Sequence, residues 1–137
     1  MTTEQLKDVY TTLVRPVVEY ASTAWHSLLT KEQAGILESQ QSKAMRNILG
    51  PGLSARKMRA ELNLETLYCR REKAALKFGQ KCASGERFGH WYPRRSMPLY
   101  ERRSGVRYRT FIEQTCRTDR HKNSPINYTR RLLNTCA

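Results

Sequence analysis

A chain of 137 residues is long enough to bury one core. Its 25 Lys and Arg against 12 Asp and Glu leave a formal charge of +13, the profile of a protein with a polyanionic partner, nucleic acid first and an anionic membrane surface second. No apolar run approaches the ~20 residues that span a bilayer, and Met1-Thr2-Thr3-Glu4-Gln5 carries none of the runs of a secretory signal. Cys69, Cys82, Cys116 and Cys136 form no close pair, so free thiols in a reducing compartment, cytoplasmic or nuclear, are expected.

Taken in order, Leu6, Val9, Tyr10, Leu13, Val14 and Val17 repeat at helical spacing, and Val17, Tyr20, Ala21, Ala24, Trp25 and Leu28 repeat it again. Thr2 or Thr3 caps the first helix. Pro16 lies where the two patterns meet, so it either kinks one long helix or begins a second that runs to about His26. A core at this bend, around Pro16, Tyr20 and Trp25, is expected to organise the remaining helices. Thr30 and Gln33 have the spacing of a capping box for a helix burying Ile36, Leu37, Ala44, Met45, Ile48 and Leu49. Gly50-Pro51-Gly52 ends it. Ser54 caps a short helix to Leu62, stopped at Asn63. The next helix begins near Glu65, with Leu67, Tyr68, Ala75, Phe78 and Cys82 inward and Arg70, Lys73, Lys77 and Lys81 along the outer side.

Helical periodicity fades after Ser84-Gly85. Gly89, Pro93, Pro98 and Gly105 read as a loop or extended linker. Val106 to Cys116 fits a strand or a short helix, and Tyr128 to Asn134 a last helical turn. The expected fold is an all-α helical bundle over residues 1–82 with an irregular, basic, Arg- and aromatic-rich extension over 83–137. Residues 1–83 hold thirteen basic and eight acidic side chains, and 84–137 twelve and four. The extension is thus the more basic part, and its cations are nearly all Arg, the side chain that grips phosphate through two parallel bonds.

Catalytic chemistry finds little support. No nucleophile elbow or Cys–His signature is present. Asp8 and Asp119 stand at opposite ends with no Asp-Asp pair to hold polymerase metals, and no phosphate-cradling Gly-rich loop occurs. Cys82, His90, Cys116 and His121 lack the spacing of a zinc finger or knuckle. No cofactor, metal or catalytic residue is expected.

Nucleic-acid binding has the better case. Candidate phosphate contacts are Lys43 with Arg46; Arg56, Lys57 and Arg59; the helical series Arg70, Arg71, Lys73, Lys77 and Lys81; and Arg94, Arg95, Arg102 and Arg103 in the extension. Trp91, Tyr92, Tyr100 and Tyr108 interleave with those arginines, a mixture suited to unpaired bases or RNA. Such a surface positions a backbone without reading sequence.

A resemblance narrows this. Lys7-Asp8-Val9-Tyr10 through Trp25-His26, with Arg15, Pro16, Glu19, Tyr20, Ala21 and Trp25, resembles the segment that follows the polymerase domain in non-LTR retrotransposon reverse transcriptases. There the pattern reads Leu-Lys-x-x-Tyr, Arg-Pro-x-x-Glu-Tyr-Ala, then Trp. The likeness continues through Leu37-Glu38, Lys43-Ala44-Met45-Arg46-x-Ile48-Leu49-Gly50, and Leu67-x-x-Arg70-Arg71-Glu72-Lys73 with Lys77-Phe78. It ends with Asn123-Ser124-Pro125-Ile126-Asn127-Tyr128 and Leu132-Leu133-Asn134, residues 83–115 matching loosely. It implies a thumb over 1–82 that clamps template–primer by sugar and phosphate, followed by the element's C-terminal extension. Its partners would be RNA, an RNA–DNA hybrid or DNA, and the palm of the parent polymerase. The Cys-Cys-His-Cys knuckle of some such elements is missing here. Met1 at the start of the thumb suggests a truncated element copy, a decayed one or a host-adopted domain. On this reading the chain is no enzyme by itself; an active polymerase would need a palm from another chain. The competing reading is a helical protein-interaction module that docks a partner at the Pro16 bend.

Overall fold

Capping at Thr2 starts the first helix. Its hydroxyl accepts the Gln5 N–H at 3.3 Å while the Gln5 side-chain oxygen accepts the Thr2 N–H at 2.9 Å, satisfying two donors that a helix start otherwise leaves open. The computed structural model describes residues 1–96 and 110–136, and the chain is all-α. Helix α1 (Thr3–Val9) passes through a π-helical turn (Tyr10–Val14) into α2 (Arg15–Glu19), followed by α3 (Ser22–Trp25) and a 3₁₀ turn (His26–Leu28). Then come α4 (Lys31–Leu49), α5 (Ala55–Glu61), α6 (Leu67–Ser84), a 3₁₀ turn (Gly89–Trp91), α7 (Asp119–Lys122) and α8 (Pro125–Cys136). Among the described residues the one extended pairing is an antiparallel bridge between Arg94 and Phe111.

Pro16 kinks a continuing helix. A proline in a helix lacks an N–H and crowds the carbonyl four residues back. The preceding turn widens to relieve this, so the Arg15 N–H reaches the Tyr10 carbonyl, five residues back, a π-bulge. Thr11 and Thr12 hydroxyls donate to the Asp8 carbonyl at 3.1 and 2.6 Å. The break comes later, at Tyr20 and Ala21, where Ala21 takes a left-handed φ of 48°, a conformation that costs an L-residue about 1 kcal/mol.

The chain divides into two compact units, Met1–Ser22 with Leu29–Glu72, and Thr23–Leu28 with the chain from Lys73 onward. The division falls inside α6, earlier than the boundary after residue 82 read from the sequence. In the first unit Tyr10, Met45, Met58, Leu62 and Leu64 form the core, with Ala44, Ile48, Leu49 and Ala55 packed against it. Glu38 of α4 reaches the start of α6, its Oε1 accepting the Tyr68 N–H at 2.7 Å, while the Thr66 hydroxyl accepts from Cys69 N–H at 3.2 Å. A carboxylate at a helix N-terminus also meets the positive end of the macrodipole. Gln41, 1 % exposed, donates to the Glu65 carbonyl at 3.0 Å.

Two sequence expectations fail here. The bend is not a core: Leu13, Val17 and Tyr20 are 65 %, 76 % and 80 % exposed, Pro16 is exposed and Trp25 half-buried. The π-turn shifts the helical phase beyond the buried Tyr10, and Leu13, Val14, Pro16 and Val17 are exposed. On α4, Ile36 is exposed and Gln41 takes the inward place. A polar side chain is accepted there because a carbonyl meets it.

The second unit gathers Cys82, Tyr92, Phe111 and Leu133, with Leu76, Ala83, Phe88, Trp91 and Ile126 against them. His26 joins it edge-on to Tyr128, ring centroids 5.8 Å apart. More of the extension is helical than its composition suggests, since α8 begins at Pro125, a residue suited to a first turn. Residues 110–116 are neither helix nor regular strand; Val106 to Arg109 lie outside the described residues. Asn134 stands in for a missing strand neighbour: its amide accepts the Phe111 N–H at 2.9 Å and donates to the Phe111 carbonyl at 3.0 Å. The Tyr92 hydroxyl meets that of Thr129 at 2.8 Å, and Thr129 donates onward to the Pro125 carbonyl at 2.9 Å.

Gly79 lets α6 and α8 approach. A Cβ there would stand 3.0 Å from the Thr129 Cβ, whereas one on Gly35 of α4 would touch nothing within 4 Å. Gly35→Ala should therefore stabilise the protein by about 0.5–1 kcal/mol through helix propensity. Gly79→Val should destabilise it by about 1–3 kcal/mol through overpacking. Thermal unfolding of both variants checks this. Burial also raises the Tyr92 hydroxyl pKa above its ordinary 10.0, outweighing the Thr129 hydrogen bond. Because the folded pKa is the higher one, the associated stability is complete below about pH 10 and is lost as pH rises toward the folded value. Tyr92→Phe should flatten that alkaline loss in denaturant titrations, at a cost of about 1 kcal/mol near neutrality for the lost hydrogen bond.

Candidate nucleic-acid interface

The sequence-derived cations separate into exposed and engaged groups. Helix α6 decides most of the sorting. Its buried row is Leu67, Arg71, Ala75, Gly79 and Cys82, one side chain per turn on a single face. Tyr68 and Phe78, expected inward, are 45 % and 40 % exposed. The true row is the four-residue repeat that carries an arginine and a glycine, residues not counted as apolar.

Arg71 is accordingly 1 % exposed and cannot lie on a phosphate backbone. Desolvation lowers its guanidinium pKa, and the nearby Glu38 and Glu19 carboxylates act in the opposite sense. Arg70 is engaged as well. Its Nε donates to Glu19 Oε1 at 2.8 Å and its Nη2 to Glu19 Oε2 at 3.1 Å, the forked geometry of a strong ion pair. That hydrogen bond, more than burial, sets the direction of its shift, which is upward. Arg70 and Arg71 thus leave the candidate interface. They tie the start of α6 to residues of the first unit.

What stays exposed on α6 is Lys73, Lys77 and Lys81, four residues apart and so aligned along one side. No acidic residue occurs from Lys73 to Gly85. In the first unit Lys43 and Arg46 are exposed on α4, and Arg56 and Lys57 on α5, with Arg59 half-buried. From Ser39 to Ala60 these five cations meet no acidic residue. Within each stretch of chain the charged side chains are all cations, a pattern that favours a polyanion.

In the extension Arg94 and Arg95 are exposed, and Arg94 lies over the Phe111 ring at 5.9 Å. Arg102, Arg103, Tyr100 and Tyr108 lie outside the described residues. Tyr92 offers no stacking face, being 2 % exposed in the core. Trp91 is half-buried against Phe88, centroids 4.7 Å apart. Base stacking by these two rings is not supported; their apolar area went into the core of the second unit. Two further arginines, Arg130 and Arg131, lie half-buried on α8, apart from these exposed runs.

Among the described residues no group of three or more His, Cys, Asp or Glu is placed to hold a metal, and all four cysteines are free thiols. Cys82 is in the core, and His90 and His121 are exposed. No described helix is long and apolar enough to cross a membrane. No protein-family model, curated protein or solved structure matches this chain.

The Glu19–Arg70 pair is partly solvent-exposed, 35 % on the arginine side and 18 % on the glutamate side, so screening limits its worth. Glu19→Gln should cost about 1 kcal/mol or less, and the cost should shrink in high salt. A double-mutant cycle with Arg70→Gln, read by denaturant unfolding, measures the coupling.

Proposed function

We propose that this chain is a non-catalytic nucleic-acid-binding module that grips sugar and phosphate without reading sequence. We further propose that it corresponds to the thumb and C-terminal extension of a non-LTR retrotransposon reverse transcriptase, acting in the nucleus or cytoplasm. The observation that carries this reading is the exposed row Lys73, Lys77 and Lys81 along α6. The runs from Lys43 to Arg59 and the charge of +13 add to it. Lysines spaced one per turn meet successive phosphates as point charges. Their release of condensed counterions makes binding steeply salt-dependent.

A second reading is favoured by the exposed apolar side chains Leu13, Val17 and Tyr20, on the π-turn, α2 and the residue that ends it. Such a face suits a partner protein. It predicts a complex that persists in high salt and is lost on Tyr20→Ala.

Anisotropy titrations of an RNA–DNA hybrid and of single-stranded RNA across a salt series separate the two. The first reading expects a log–log slope of about 0.9 per phosphate contact on duplex DNA, and a comparable linear fall on the hybrid. Joint charge reversal of Lys77 and Lys81 should weaken binding at least about tenfold near ~0.1 M salt. A flat salt response, or full affinity in that double variant, refutes it.

A further inference from the structure

Around α7 and α8, within the second unit, lies a cleft of about 230 Å³ lined by Lys122, Arg130, Arg131, Glu113, Cys116 and Asn127. None of its three cations belongs to the interface described above. Arg130 is locked in place: Nε and Nη2 both donate to the Trp91 carbonyl, and Nη1 donates to Asn127 Oδ1 at 3.3 Å. A guanidinium has five N–H donors; three are engaged here, so two remain. Arg131 donates once, from Nη2 to Asn123 Oδ1 at 3.0 Å, and lies over the Tyr128 ring at 6.0 Å. Lys122 is exposed. Glu113 opposes them, and its Oε1 accepts from Asn134 Nδ2 at 3.0 Å. Three cations against one carboxylate leave the cleft with an excess of about two positive charges.

We propose that this cleft takes the terminal phosphate of a nucleic-acid strand. The inference rests on the nucleic-acid reading above and adds to it a site for strand ends. An internal phosphodiester carries one negative charge, whereas a terminal phosphomonoester carries about −1.5 to −2 at neutral pH and offers three acceptor oxygens. That charge matches the excess in the cleft. Size points the same way: about 230 Å³ is smaller than the ~300–1,000 Å³ of sites that swallow a drug-sized ligand. It suits a phosphate and its sugar, with the bases left outside. Because Arg130 is held by protein partners before any ligand arrives, little ordering remains to oppose binding.

The test compares one single-stranded RNA oligonucleotide bearing a 5′-phosphate, a 3′-phosphate or only hydroxyl ends, by anisotropy at fixed salt. At least one phosphorylated form should bind about tenfold tighter than the hydroxyl form, the worth of one or two charge-assisted hydrogen bonds. Lys122→Glu and Arg131→Gln should each shrink that ratio to less than about threefold while the hydroxyl form keeps most of its affinity. Circular dichroism establishes that both variants fold. Equal affinity for all three strands overturns the end-binding inference and leaves the general nucleic-acid reading standing. A preference that survives in both variants also overturns it, because the cleft is then not its source. Absence of binding by every strand at low salt refutes the nucleic-acid reading itself, and this inference with it.

Discussion

One helix face constrains most of this protein. The row Leu67, Arg71, Ala75, Gly79 and Cys82 on α6 is buried along its length, yet its two parts belong to different compact units. The earlier part is fixed by polar ties. Glu38 meets a first-turn N–H, Glu19 grips Arg70, and Arg71 is drawn inside. The later part is fixed by closeness: a missing side chain at Gly79 admits the Thr129 Cβ, and Cys82 enters the aromatic cluster. Because one face is committed inward throughout, the lysines on α6 have only the outer side left. The exposed row is therefore a consequence of packing on the opposite face.

Burying Arg71 is costly unless carboxylates compensate. Glu38 and Glu19 oppose that cost in part, burial still prevailing, and the same two carboxylates cap the start of α6 and hold Arg70. Acidic side chains are scarce in this chain, 12 against 25 basic ones. Two of them, Glu19 and Glu38, are half-buried in the first unit beside Arg70 and Arg71.

The local grammar of the chain was legible from sequence. Thr30 with Gln33 forms the reciprocal cap its spacing announces, and Thr2, one of the two candidate caps, closes α1 in the same way with Gln5. Gly50 takes a φ of 83° where the breaker was expected, Ser54 caps α5, and Asn63 closes it at a φ of 50°. Long-range choices were less legible. An apolar count turns Tyr68 and Phe78 inward and Arg71 outward, because neighbouring four-residue rows on a helix differ little in apolar content. The winning row is set by Glu38 and Thr129, far away in the chain. Likewise the Pro16 pattern predicts an apolar bend, but the π-turn rotates its far side outward. In the extension, Asn127, Thr129 and Asn134 are buried. Polar residues are read as surface until their partners are known.

Asn134 carries a consequence of a different kind, one of chemical age. Its amide reads both edges of Phe111 and also donates to Glu113. Donor and acceptor are thus both in use on one side chain. Hydrolysis of that amide to a carboxylate, the slow fate of many asparagines, would keep the acceptor and turn the donor into a second one. It would then face the Phe111 carbonyl and the Glu113 carboxylate with nothing to give. One atom's exchange, nitrogen for oxygen, would convert the clasp that orders 111–113 into a repulsion. The clasp on 111–113 therefore depends on the nitrogen of a single amide.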